Sequence, residues 1–162
     1  MTQQAEKDFL DYLNAFEAPF LEEKLLEEGV FQTKPEYDEA FREFKRYVAL
    51  GKMSGKSLGM TSKKVDAVWH QFILFTKEYM VFCHQFLGYY LHHNPRTPSR
   101  PLSRDSVPNF VETYKKYFGK IPVIWSVARE GVCLEGDCTG GNCSDNCNSE
   151  CGFKSAPKDC ET

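Results

Sequence analysis

Apolar residues recur at three- and four-residue steps through most of the first 126 positions. Phe9, Tyr12, Leu13 and Phe16 come first, with Asp8, Asp11, Asn14 and Glu17 between them. That spacing predicts an amphipathic helix with one side against a core. Pro19 interrupts the pattern, Leu21, Leu25 and Leu26 resume it over 20–28, and Gly29 is placed to terminate it. Thr33 is followed three positions on by Glu36, with Pro35 close to the first turn, which is capping-box spacing. The helix so opened has Tyr37, Phe41, Phe44 and Val48 as its apolar stripe. Asp38, Glu39, Arg42, Glu43, Lys45 and Arg46 form its expected solvated face, and Gly51 its expected end.

The stretch from 62 to 91 is different in kind. After a capping Ser62 or Thr61, the residues Val65, Val68, Trp69, Phe72, Ile73, Phe75, Tyr79, Met80, Phe82, Phe86 and Leu87 leave almost no polar side. A helix of that character belongs in the middle of a bundle. It is long enough to span a bilayer, but Asp66, His70, Lys77, Glu78 and His84 would sit in hydrocarbon at high cost, so a buried helix outside the membrane is expected. Gly88 interrupts it, and the prolines at 95, 98 and 101 mark an extended linker over 94–108. A short helix follows from Phe110 to Phe118, with Gly119 and Pro122 beyond it. Strand signals are weak throughout. The expectation is an all-α fold, a small bundle around a buried central helix over about 62–91.

Beyond Trp125 the chain loses its apolar residues and fills with Cys, Gly, Asn, Ser and Asp. Two regions result, a helical domain over 1–128 and a tail over 129–162 that cannot build a core. The tail reads C-x4-C-x4-C-x3-C-x3-C-x8-C from Cys133 through Cys138, Cys143, Cys147 and Cys151 to Cys160. It lacks the paired C-x2-C knuckles of zinc ribbons, yet thiolates on such a chain can wrap a soft ion, Zn²⁺ or Cu⁺. Oxidised cross-links and a plain tether are the competing readings.

Charge and termini narrow the setting. The net charge of −3 comes from 20 basic and 23 acidic residues spread along the chain, so nucleic-acid binding is not favoured. The first residues, MTQQAEKDFLDYLNAF, lack the basic patch and apolar run of a secretory signal, which points to the cytoplasm. The loop GKMSGKSLGMTS over 51–62 superficially matches a phosphate-binding loop at Gly55, Lys56 and Ser57. The match fails because position 50 is Leu where glycine is needed, and because the loop follows a helix rather than a strand.

All four histidines, and the one cysteine outside the tail, lie between 65 and 93. Asp66 and His70 are four apart on one helical face, where they could share a metal with a ligand from elsewhere or simply form a buried hydrogen bond. Thirteen residues of helix would put Cys83 roughly 20 Å from His70, and His84 is excluded as its partner on the same ground. His92 and His93 follow Gly88 closely enough to fold back beside Cys83 but not as far as His70. Two clusters are therefore expected, Asp66 with His70, and Cys83 or His84 with His92 or His93, a division that fails if the helix breaks before Gly88. The plain reading of the second is a core thiol and a polar helix end.

The segment VDAVWH over 65–70, then Thr76, Tyr79, Phe82-Cys83, Gly88 and His92-His93, with YKKYFGKIP over 114–122 and Trp125 downstream, resembles the glycine-rich domain-containing protein-like family. The likeness covers most of residues 37–126. It implies an α-helical domain without a particular reaction, and it marks Asp66, Trp69, His70, Tyr79, Cys83 and His93 as positions matching the family pattern. Trp69, Tyr79 and Gly88 are its structural signature.

No nucleophile, base and oxyanion arrangement emerges, which weighs against an enzyme. The leading expectation is a non-enzymatic binding or regulatory helical module, acting on a protein partner, whose thiol tail holds Zn²⁺ or Cu⁺. A metal-dependent enzyme using Asp66 and His70 is the alternative, and a tail that serves as substrate for cysteine-modifying enzymes is the third.

Overall fold

The computed structural model describes residues 2–94, 97, 99, 101 and 103–125. Six α-helices account for most of them: α1 (Gln3–Asn14), α2 (Pro19–Glu27), α3 (Lys34–Ser54), α4 (Lys63–Leu74), α5 (Thr76–Phe82) and α6 (Ser106–Phe118). There is no β-strand among the described residues, so the fold is all-α, as the periodicity predicts. The helices belong to a compact unit that closes at Ile124. No helix among the described residues is long and apolar enough to cross a membrane.

The helix starts follow their sequence signals. Thr33 Oγ1 accepts from the Glu36 amide at 3.4 Å, and the Glu36 carboxylate accepts from the Gln32 amide at 2.9 Å. Lys64 adds an ion pair at 2.6 Å to the same carboxylate and helps hold its pKa below the usual range. At α4 the cap is Ser62, whose Oγ accepts from Val65 N at 3.3 Å. The bonds to Thr33 and Ser62 satisfy amides that the first turn of a helix leaves without partners, and the Gln32 bond fixes the chain's entry into α3.

The hub of the bundle is α3, which packs against α1, α2, α4 and α6. It runs to Ser54, with Gly51 inside it and Gly55 as the left-handed cap, whose amide donates to the Gly51 carbonyl. Its supposed solvated face is also partly buried. Glu43 is fully buried and accepts from the Tyr114 hydroxyl at 2.8 Å and from Arg46 at 2.9 Å, tying α3 to α6. Lys45 is buried because its ammonium donates to the Asn14 and Phe16 carbonyls at 2.7 and 3.1 Å, where the end of α1 exposes acceptors.

The expected single helix over 62–91 is instead three pieces. α4 stops at Leu74, Phe75 adopts φ −83° and ψ 67°, and α5 restarts at Thr76. Cys83–Leu87 then form a π-helical turn that closes on Gly88, at φ 83°, with the Gly88 amide donating to the Cys83 carbonyl at 3.1 Å. Phe75 lies against Phe20 at 4.8 Å between ring centroids, so the break seats an aromatic against α2 rather than extending α4 into solvent. Phe72, Tyr79, Phe82, Cys83, Phe86 and Leu87 are buried, while Leu74, Met80 and Val81 are exposed. The pieces wrap around the core and are not enclosed by it.

That core is aromatic. Phe16 meets Phe41, Phe72, Phe82 and Phe86 at 6.2, 6.1, 5.0 and 5.5 Å. Offset and edge contacts of this kind add about 0.5–1.5 kcal/mol per pair to the burial of their area.

Candidate functional site

The break at Phe75 decides which histidines meet. With α5 folded back from α4 and the chain reversed again at Gly88, residues 89–93 return along α4 instead of continuing away from it. Tyr79 anchors that return. Its hydroxyl accepts from Trp69 Nε1 at 2.8 Å and donates to the Leu91 carbonyl at 2.5 Å. All of the Tyr79 side chain is buried, and burial pushes its phenol well above the usual tyrosine range against the opposing effect of the Trp69 bond.

Two residues beyond Leu91, His93 reaches the first turns of α4. Its Nε2 lies 2.9 Å from Asp66 Oδ1, and His70 Nε2 lies 3.6 Å from Asp66 Oδ2. The two imidazoles meet edge to face at 4.4 Å between centroids, and Trp69 braces His93 from its other side, also at 4.4 Å. The ligand atoms of Asp66, His70 and His93 all lie within 4.8 Å of one another. Among the described residues no other group of three metal-ligating side chains is so arranged.

The expected division into two clusters is therefore corrected: His93 joins Asp66 and His70. The thirteen-residue separation assumed one straight helix, and the break at Phe75 removes that assumption. The adjacent His92 turns outward, is exposed, and lies against Tyr90 at 4.9 Å. His84 is exposed. Cys83 is a buried free thiol beside Tyr79, where it helps to raise the phenol's pKa. The thiols from Cys133 to Cys160 lie outside the described residues.

The side chains of the cluster grade from interior to solvent. His93 is 11% exposed, Asp66 30% and His70 53%. Beneath them Tyr47 donates to the Leu58 carbonyl at 2.8 Å, and burial together with the nearby Asp66 carboxylate pushes its phenol up. His70 also lines an open groove of about 440 Å³, together with Leu25, Val30, Ala67, Gln71, Ile73 and Leu74.

A tetrahedral ion held at about 2.0–2.1 Å from each ligand separates those ligands by about 3.3 Å. The two Asp66–His distances, 2.9 and 3.6 Å, are made to different carboxylate oxygens and fall on either side of that figure, while the three ligand atoms together lie within 4.8 Å, so the side chains would have to draw together to hold one. Two imidazoles and one carboxylate are a donor set suited to Zn²⁺ or Fe²⁺ with a position left open. The same geometry without an ion is a carboxylate orienting two imidazoles.

The described residues thus form an all-α domain that gathers one carboxylate and two histidines where a returning segment crosses the start of α4. A family model described as UCP032817-like matches residues 8–108, more than half of the chain, and the protein belongs to that family. No curated protein and no solved structure matches it.

Proposed function

We propose that the helical domain is a metal-dependent module in which Asp66, His70 and His93 bind one divalent ion, Zn²⁺ or Fe²⁺, with at least one coordination position open to a small ligand. The observation that carries this reading is the convergence of three ligand atoms within 4.8 Å from two segments far apart along the chain. A hydrogen bond between Asp66 and one histidine would hold the fold as well; the second imidazole is what makes the cluster a donor set for an ion. An ion so held polarises whatever fills its open position and lowers the pKa of bound water toward about 7. The exposed edge at His70 gives that position access to solvent.

The test is metal content of the full-length protein, purified under reducing conditions and equilibrated with Zn²⁺ or Fe²⁺. One equivalent is expected, retained when Cys133, Cys138, Cys143, Cys147, Cys151 and Cys160 are all changed to Ser. It is expected to be lost in His70→Ala and His93→Ala proteins that keep their helical circular dichroism. Metal that follows the tail cysteines and ignores both histidines would overturn the reading in favour of a soft-metal tail on a binding module.

A further inference from the structure

The groove beside His70 has a composition that the metal reading leaves unused. Leu25 and Val30 form one wall; Ala67, Gln71 and Leu74, which share a face of α4 with His70, form the other. Leu74 is 72% exposed and Val30 43%, so large apolar groups stand in water at its rim. Among its lining residues His70 alone is ionisable, and it is also the most solvent-facing of the three proposed ligands. Groove and metal position therefore meet at one side chain.

Charge selects what would bind across that junction. A divalent ion with one carboxylate and two neutral imidazoles carries a net charge of +1, which favours a single anionic donor. The groove beyond it offers no counter-charge and, Gln71 apart, apolar side chains, and a volume of about 440 Å³ lies within the usual range for a small molecule. Resting on the metal reading, the geometry points to a ligand with a monoanionic, metal-binding head and a short apolar chain, such as a medium-chain carboxylic acid or a derivative of one. The head takes the open coordination position and the chain lies between Val30 and Leu74.

The zinc-loaded full-length protein is titrated with acetohydroxamate and with alkyl hydroxamates of four, six and eight carbons. Acetohydroxamate reports the head alone. Each added methylene is expected to tighten binding by about two- to fourfold, the upper figure corresponding to complete burial. In a Val30→Asn/Leu74→Asn protein the series should flatten, with zinc content and acetohydroxamate affinity unchanged; both positions are exposed, so folding is preserved. A flat series in the wild type, with zinc bound and acetohydroxamate binding normally, overturns this inference and leaves the metal site standing. Failure of zinc to bind at all removes both. A chain-length dependence that persists undiminished in zinc-free His93→Ala protein overturns the anchoring of the ligand at the metal.

Discussion

Tyr79 holds Leu91. The 2.5 Å hydrogen bond from its hydroxyl to the Leu91 carbonyl fixes the backbone two residues before His93, and the same oxygen receives Trp69 Nε1, one residue before His70. One buried phenol thereby ties together the two segments that supply the histidines of the cluster. Holding those two segments fixes how His70 and His93 approach Asp66, and in metal sites the loss of contacts that orient the ligands typically lowers affinity by about 10–100-fold.

Tyr79→Phe keeps the ring and removes both bonds. Stranding the Trp69 N–H and the Leu91 carbonyl in a buried setting should destabilise the protein by about 1–3 kcal/mol, read from urea unfolding with a chelator present. Zinc affinity should fall at least tenfold. A mutation of similar cost far from the site, Leu13→Val in α1, separates the two effects: it should lower the unfolding midpoint and leave zinc affinity alone. Equal losses of affinity in both proteins would reduce Tyr79 to a core residue.

The α1 stripe, the α2 resumption after Pro19 and the capping box at Thr33 and Glu36 were legible in the chain because each rests on local chemistry that operates within four residues. The Asp66–His70 pair was legible for the same reason. His93 was not, since its place depends on a break at Phe75 that carries no Gly or Pro. Its one local trace is Glu78 in the first turn of α5, and what seats it is the packing of Phe75 on Phe20, a contact across 55 positions that periodicity does not report. Lys45 and Glu43 were assigned to solvent for a related reason: their partners, the end of α1 and Tyr114, come from other helices.

Gly88 makes the second reversal. At φ 83° and ψ 1° it occupies the left-handed region, with open space around the position a Cβ would take. Gly88→Ala should therefore cost about 1–2 kcal/mol from backbone conformation alone. Because the residues after it deliver His93, zinc affinity should fall as well. Gly88→Asn, which tolerates this conformation, should recover most of both losses. Unfolding midpoints and zinc titrations of the two variants check this, and equal behaviour of Ala and Asn would argue against a conformational cause.

The glycines of the loop that mimics a phosphate-binding motif have separable structural jobs. Gly59 donates to the Ser106 carbonyl at 2.8 Å, and a Cβ there would lie 2.9 Å from Val107 Cγ2 and 3.3 Å from Ser106 backbone carbon. Gly59→Ala must push the loop off the start of α6, at a cost of about 1–3 kcal/mol. Gly51 lies inside α3 with nothing near its missing side chain, so Gly51→Ala should stabilise by about 0.5–1 kcal/mol. Opposite shifts of the two urea midpoints are the expected result. A destabilising Gly51→Ala would mean that α3 ends there.

Alkaline pH should unfold the protein through its buried phenols. Tyr37, Tyr47, Tyr79 and Tyr114 are all held above the ordinary tyrosine range, each chiefly by burial, with Asp66 adding to the effect at Tyr47 and Glu43 at Tyr114. A phenol whose folded pKa exceeds its unfolded value of about 10 leaves stability intact below that pH. Above it the unfolded chain gives up protons that the folded chain retains, so stability falls as pH rises further. Four such groups acting together make the fall steep. Absorbance at 295 nm, which follows tyrosinate, and far-ultraviolet circular dichroism should then change together for these four residues above about pH 10. If tyrosinate formation were complete while the helical signal remained, the four phenols would have ionised inside the folded protein, and burial would not be what holds them protonated.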